Sequence, residues 1–334
     1  MESTQKTTGL VLGKFAPLHK GHQHLIEVAK SQVDRLYVLV YEATEIIDIQ
    51  LHVRANWIRK IYPDVIVIEG HGSPTADDHT EEVMRLQDNY IISMMPEKIT
   101  HFFSSEWYGE HVAKALEAEN VLVDLDRTIV PISATEIRKD RFLGAKFLHP
   151  IVNRDIIKKV VFLGAESAGK STLAEAMAGV YQTEFVPELG RDYWVANHGQ
   201  DGTLTQQQLV ELAQLHLISE ESHFEKSNGI VFIDTSASTT KNFCNFYGHI
   251  TPLELESLVQ NEKNRYDLFI VCDIDIPFVQ DGTRHDESDR VKMQQTIIDD
   301  LNKRGVPYHV VSGNIVKRVV TMCNIIKARF NILT

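Results

Sequence analysis

GKFAPLHKGHQHL, Gly13 to Leu25, follows the apolar run Leu10–Leu12 and opens a stretch with helical spacing. It gathers Lys14, His19, Lys20, His22 and His24 beside Gly13 and Gly21. Such a cluster is costly to bury and repels itself when protonated, so its natural partner is an anion. A strand ending at Gly13, a turn through Pro17 and a helix opening near Gly21 bring His19 and His22 to a helix N-terminus. Free backbone N–H groups and the dipole favour negative charge there, and the imidazoles can donate to phosphate oxygens.

Outward from this stretch, β-branched apolar runs alternate with amphipathic segments in both halves of the chain, the pattern of parallel α/β domains. Strands are predicted near Leu10–Leu12, Leu36–Tyr41, Val65–Glu69, Thr100–Ser104 and Val121–Val123, with helices such as Gly21–Ser31 and Leu51–Ile61 between them. The pattern restarts with Lys159–Leu163 and continues through Ile230–Ile233, Leu268–Cys272 and Tyr308–Val311. The stretch from Phe142 to Asp155 carries the plausible seam, so domains 1–150 and 151–334 are expected. The 334 residues, 43% hydrophobic, can fill two cores.

The formal charge of −12 opposes non-specific binding to a nucleic-acid backbone, so local basic clusters read as sites for small anions. Cys244, Cys272 and Cys323 have no ligand-like spacing, which favours a reducing compartment over a disulfide framework or a zinc site. No apolar run reaches the roughly 20 residues of a membrane span, and the N-terminus carries no signal-peptide pattern. A cytoplasmic protein without a membrane partner is expected.

Two further motifs carry chemistry. In ISATEIR, Ile132 to Arg138, Ser133 and Glu136 have capping-box spacing, with Thr135 and Arg138 in the first turns of the helix they open. GAESAGKS, Gly164 to Ser171, stands after the strand KVVFL and before a helix over Thr172–Val180, in the context of a P-loop. Gly164, Glu166, Ser167, Ala168 and Gly169 would form the cradle and Thr172 would follow it, with Lys170 on the β- and γ-phosphates and Ser171 on Mg²⁺. Asp234 ends the apolar strand IVFIDT, where a P-loop protein holds the water shell of its metal or its general base. The polar segment from Asp281 to Arg290 reads as a lid, with Arg284 and Arg290 as its phosphate-closing arginines.

The pattern G-K-F-x-P-x-H-x-G-H, with the distal I-S-x-T-x-x-R, resembles the nucleotidylyltransferase superfamily. The resemblance implies that Gly13, Lys14, Phe15, Gly21, Ser133 and Thr135 contact ATP while His19, His22 and Arg138 assist transfer. The blocks FFSSEWYGEHV, VDLDRTIVPISATEIR, GAESAGKS, PELGRDYW and FIDTSASTTKNFC, in this order, make the chain similar to bifunctional NadR-type proteins. These join a nicotinamide mononucleotide adenylyltransferase to a ribosylnicotinamide kinase. A Rossmann-like transferase followed by a P-loop kinase is the implied architecture.

That resemblance implies that Ser104, Ser105, Trp107, Tyr108, Asp126 and Arg127 lie near the mononucleotide. Trp107 suits a cationic pyridinium as a stacking partner, and an interior aromatic explains it equally well. Glu188, Arg191, Asp192, Tyr193 and Trp194 would shape the riboside pocket, with Tyr193, Trp194 and Tyr247 as candidate stacking partners. Arg54 fits a phosphate contact or a solvated helix face, and Trp57 fits the core. Long members of the family carry a helix-turn-helix domain ahead of the transferase. Here about nine residues precede the first strand, so DNA is not an expected partner.

The chemistry implied is NAD synthesis from nicotinamide riboside, with ATP as co-substrate and Mg²⁺ as cofactor. The riboside's 5′-hydroxyl attacks ATP, with Asp234 or Glu188 accepting its proton. The resulting mononucleotide then takes an adenylyl group from a second ATP. A fused phosphopantetheine adenylyltransferase and dephospho-coenzyme A kinase has the same two motif types in the same order. A regulator that senses nucleotides without turnover is the other alternative, and the sequence leaves room for a homo-oligomer.

Overall fold

The computed structural model describes residues 6–42, 49–74, 80–107, 109–197, 203–279 and 287–332. The chain divides into two compact units, Met1–Val152 and Asn153–Thr334. Among the described residues no helix is long and apolar enough to cross a membrane.

The first unit contains β1 (Thr8–Gly13), α1 (Lys20–Gln32), β2 (Arg35–Tyr41), α2 (Leu51–Ile61), β3 (Ile66–Gly70), α3 (Glu81–Met94), β4 (His101–Ser104), α4 (Gly109–Ala115), β5 (Glu119–Leu122), α5 (Ala134–Lys139) and α6 (Arg141–Ala145), followed by α7 (Pro150–Ile156) at the division. Its strands form one parallel sheet in the order β3-β2-β1-β4-β5. Gly13 pairs in register with Val40, and Val11 with Phe103. The chain winds one way from β1 to β3, then crosses to β4 and winds the other way. Loops leaving β1 and β4 therefore diverge and open a crevice at the carboxyl ends of the strands. Leu25, Ile26 and Ala29 form the buried stripe of α1, while Leu10, Tyr37, Leu39 and Phe102 share a core with α3 and α4 side chains.

The second unit contains β6 (Lys158–Leu163), α8 (Lys170–Tyr181), β7 (Phe185–Val186), α9 (Gly190–Asn197), α10 (Gln206–Phe224), β8 (Ile230–Asp234), α11 (Ala237–Phe246), α12 (Leu253–Arg265), β9 (Leu268–Cys272), α13 (Glu287–Arg304), β10 (Tyr308–Val311) and α14 (Ile315–Phe330). Its sheet is parallel, in the order β10-β9-β6-β8-β7. Every residue of β8 and β9 is buried, as unbroken apolar runs require when helices cover both faces. The two-residue β7 has no pattern to announce it, and the sequence reading omits it. A separate apolar cluster joins α10, α11 and α12 through Leu209, Leu212, Cys244, Leu255 and Val259.

Candidate functional site

In the first unit α1 starts from the crevice, and its N-cap is His19. Nδ1 of His19 accepts from the Gly21 N–H at 3.1 Å, and Nδ1 of His22 accepts from the His19 N–H at 3.4 Å. The two rings stack with centroids 3.8 Å apart, and Phe15 meets His22 edge-on at 5.0 Å. Gly21 permits this stack, because a Cβ there would stand 3.0 Å from the His19 ring. Burial lowers His19 to about 4, with Arg127 adding to the effect and Glu136 opposing it. Burial also takes His22 well below its usual value, helped by His19 and Arg127 and opposed by the Pro17 carbonyl. Both imidazoles are thus neutral at neutral pH, and with Nδ1 accepting, each carries its proton on Nε2.

The capping box read from ISATEIR is present. Ser133 Oγ accepts from the Glu136 N–H at 3.2 Å and Glu136 Oε2 accepts from the Ser133 N–H at 2.8 Å. Arg138 donates to the Ala16 carbonyl at 2.6 Å and to Thr135 Oγ1 at 3.0 Å, tying the short α5 to the loop before α1. Arg127, at φ +51°, pairs with Glu106 at 3.1 Å and so links the loops that follow β4 and β5. Asp124 shapes the second of these loops by accepting from the N–H groups of Thr128, Ile129 and Val130. No motif in the sequence singles out Asp124, although an Asp four residues before Thr128 is a usable turn signal.

Trp107 is 71% exposed, which rules out the interior alternative. Ser104 is buried and its Oγ donates to the Glu106 carbonyl, while Ser105 is half-buried and Asp126 exposed. Tyr108 lies outside the described residues. Gly13 ends β1, and buried Phe15 sits at φ +47°. Arg54 corrects both readings offered for it: it is buried in α2 and donates to the carbonyls of Lys14, Tyr41 and Ile49. Trp57 is core, as expected.

In the second unit the P-loop leaves β6 with Gly164 at φ +141°, where a Cβ would come within 2.8 Å of the Cys272 carbonyl oxygen. Ser167 (φ +56°) and Gly169 (φ +81°) complete the turn into α8. Lys170 is buried and its Nζ donates to the Ala165 carbonyl at 3.0 Å, while Ser171 and Thr172 stay exposed on the first turn. Asp234, 1% exposed, accepts a hydrogen bond from the Ser171 side chain. Burial raises its carboxyl above the usual range, with Lys170 and Ser171 pulling it back. Its Oδ1 has no hydrogen-bond partner among the described residues.

A cleft of about 490 Å³ opens on the P-loop, with Glu166, Glu188, Arg191 and Trp194 in its wall. Glu188 is raised by its enclosure and by Asp234, against the pull of Lys170, His216 and Arg191. Tyr247 also lines the cleft. Asp192 is exposed on α9, and Tyr193 instead hydrogen-bonds Glu211 at 2.8 Å. His216, Thr239 and Thr240 line the cleft as well; the two threonines stand in the block FIDTSASTTKNFC, which assigns them no role, and no motif marks His216. Among the described residues, no group of three or more His, Cys, Asp or Glu side chains could hold a metal ion.

Arg290 corrects the lid expectation. It lies in the first turn of α13, is 4% exposed, and donates to the carbonyls of Ser167 at 3.1 Å and Ile276 at 3.0 Å. It braces the P-loop from behind, and Arg284 lies outside the described residues. Arg318, unmarked in the sequence reading, does the same from α14 by donating to the Ala168 carbonyl at 2.6 Å and to Asp275 at 2.6 Å.

Residues 10–140 match the cytidylyltransferase-like family, and residues 159–318 match the AAA domain family. The trifunctional NAD biosynthesis/regulator protein NadR of Escherichia coli (strain K12) is 30% identical over 330 residues, covering 91% of this chain and 78% of that protein. The chain belongs to the NadR family. NadR of Salmonella typhimurium is 29% identical over 97% of this chain and 83% of its own length. Two solved NadR structures share the fold. The NadR complex with NR has a TM-score of 0.69 at 21% identity and covers 98% of this chain and 97% of its own. The NadR complex with NAD and AMP-PNP has a TM-score of 0.71 at 20% identity and covers 99% and 98%.

Proposed function

We propose that this NadR-family chain makes NAD from nicotinamide riboside by two consecutive transfers from ATP, one in each unit. The observation that carries the reading is the presence of two distinct phosphate cradles on one chain. One is a helix N-terminus with stacked neutral imidazoles; the other is a P-loop with a buried lysine and two raised carboxylates. Membership of a family whose relatives are named for NAD biosynthesis supports the same reading.

In the kinase step the riboside's 5′-hydroxyl oxygen bonds to the γ-phosphorus of ATP as the bond to the β-phosphate oxygen breaks and ADP leaves. The hydroxyl proton passes to Glu188, whose carboxyl is raised and stands in the cleft wall beside Arg191. Lys170 and the loop N–H groups hold the phosphates and neutralise their charge. Mg²⁺, when bound, would supply further positive charge to offset that of the polyphosphate. The Ser171 hydroxyl and Asp234, with its unpartnered Oδ1, fit it as oxygen donors. Asp234 thus serves the metal and its water shell while Glu188 serves as base.

In the transferase step an oxygen of the mononucleotide's 5′-phosphate bonds to the α-phosphorus of a second ATP and pyrophosphate departs. That nucleophile is already anionic, so no base is needed. His19 donates from Nε2 without first having to acquire charge, as does His22 while sharing its N–H with the Pro17 carbonyl, and Arg138 ties α5 to the loop that meets the triphosphate. Trp107 offers an exposed face to the pyridinium ring.

The test is mass spectrometry of products after incubation with Mg²⁺, ATP and nicotinamide riboside. Both the mononucleotide and NAD should accumulate in sequence. A protein that binds the nucleotides but yields neither product would overturn the proposal.

A further inference from the structure

The kinase cleft takes one wall from the P-loop and part of the opposite wall from the start of α11, which contributes Thr239 and Thr240. Between Asp234 and that helix the chain turns through Thr235 at φ +67°, a left-handed conformation that a β-branched residue adopts only when its surroundings impose it. The helix does not cap itself: the N-cap Ser236 makes no side-chain cap bond, and its Oγ lies 2.9 Å from that of Ser238 instead. The N–H of Ser238, one of the donors that a helix start leaves over, goes to Glu262 of α12, whose Oε1 accepts it at 2.7 Å. Glu262 is 2% exposed, and its Oε2 accepts from Arg304 of α13 at 3.1 Å. Arg304 is fixed in turn by the Val259 carbonyl at 3.0 Å and by Asp300 at 2.7 Å. Neither Glu262 nor Arg304 stands in the cleft wall.

A buried ion pair is weak evidence for stability, since the cost of desolvating two charges can exceed their attraction. The place of this one gives it another task. Resting on the riboside-kinase reading, we infer that Glu262 and Arg304 are positioning residues for the kinase reaction, which hold the first turn of α11 and through it Asp234 and the threonines of the cleft wall. The Ser238 N–H lies four residues after Asp234 and one before Thr239, so the carboxylate that fixes it fixes the chain between them. Burial raises the Glu262 carboxyl, while Arg304 and the groups of Ser236 and Ser238 favour its ionised form. That form only accepts, and its charge suits the N-terminus of a helix. Lys241, one turn into α11, repeats the connection by bridging Glu256 of α12 at 2.8 Å and Asp300 of α13 at 3.3 Å. The start of α11 is thereby set by two helices behind the cleft rather than by its own sequence.

The experiment measures riboside phosphorylation and thermal unfolding of the full chain in two double variants. Both remove the two charges together, so neither strands a buried ion. Glu262→Met with Arg304→Met leaves the Ser238 N–H without its acceptor, whereas Glu262→Gln with Arg304→Met keeps an amide oxygen there. The methionine pair should retain the wild-type Tm and lower kcat for riboside phosphorylation by about 10- to 100-fold, the cost of a displacement of about 1 Å at reacting groups. Its KM for ATP should be unchanged, because Arg290, Gln294 and Arg318 hold the P-loop independently. The glutamine variant should recover most of the lost kcat, and adenylyl transfer in the other unit should be equal in all three proteins. A methionine pair that phosphorylates at the wild-type rate overturns the inference. So does one that melts well below the wild type, which would make the pair a support of the fold, and so does a glutamine variant no faster than the methionine pair. A wild type that phosphorylates no riboside removes the kinase reading itself.

Discussion

Asp234→Asn should stabilise the unliganded protein while abolishing riboside phosphorylation. Asp234 is 1% exposed, its Oδ1 lacks a partner among the described residues, and its pKa is raised by burial despite Lys170 and Ser171. Between the ordinary value of 3.8 and the raised folded value, the folded protein keeps a proton that the unfolded chain has released. Stability therefore falls as pH rises through that window and stays lower above it. Asparagine has the same shape and no such slope. Each unit of upward shift corresponds to about 1.4 kcal/mol. Allowing for the lost attraction to Lys170, the variant should still gain stability over the wild type, and the gain should widen as pH rises. Thermal scans upward from about pH 4, without nucleotide or metal, measure it: wild-type Tm should fall relative to the variant as pH rises above the ordinary carboxyl value. Phosphorylation should drop by at least about a hundredfold, as when one stabiliser of transition-state charge is removed. A variant that is less stable at every pH would show that Asp234 is held by structure, and one that keeps its kinase activity would remove Asp234 from the mechanism.

Lys170→Ala should suppress phosphorylation of the riboside by several orders of magnitude and leave conversion of supplied mononucleotide to NAD intact, whereas His22→Ala should do the reverse. Mixing the two variants should restore NAD formation from the riboside, and loss of both partial reactions in either folded variant would contradict one reaction per unit. Gly21→Ala places a Cβ 3.0 Å from the His19 ring and should reduce adenylyl transfer by about 10- to 100-fold with the kinase unaffected; unchanged transfer would mean that the imidazole stack is dispensable. Trp107→Ala, at an exposed position, should shift stability by less than about 0.5 kcal/mol and raise KM for the mononucleotide more than for ATP. Equal effects on both substrates would argue against stacking.

What the sequence made legible is what short-range geometry decides. The strand–loop–helix context of GAESAGKS, the capping box at Ser133 and Glu136, and the placement of His19 and His22 at the head of α1 all depend on residues within one turn of each other. The parallel fold class was readable for a similar reason, because β9, and β8 up to its terminal Asp234, are buried on both faces and are apolar there. His216 and Thr239 were not readable. His216, one of two histidines in QLHLISEESHF, has the spacing of any core-facing residue, and only the packing of α10 on α11 sets it in the wall of a cleft formed with a loop some fifty residues earlier in the chain. Arg290 misled because charge in a polar segment suggests solvent, whereas its side chain is buried and its Nη2 donates to the carbonyls of Ser167 and Ile276.

Arg54 belongs with Arg290 in a physical account that covers both units. Each phosphate-binding loop is held from behind by buried or half-buried arginines that bind its carbonyl oxygens. In the first unit Arg54 takes the Lys14 carbonyl and Arg138 takes that of Ala16. In the second, Arg290 takes the Ser167 carbonyl and Arg318 takes that of Ala168. A peptide whose C=O is fixed on one side has its N–H turned to the other, because the two groups are antiparallel across a planar trans amide. An anion needs that arrangement, with oxygens withdrawn and N–H groups presented. Guanidinium suits the task better than ammonium, since its planar fork can bind two or three carbonyls at once and remains charged when desolvated. Loops with left-handed residues at Phe15 and Ser167 are not self-supporting, and these contacts supply the over-determination that such backbone needs. Arg54, Arg138 and Arg290, candidates for phosphate contact in the sequence, thus each bind a carbonyl oxygen of the loop beside them.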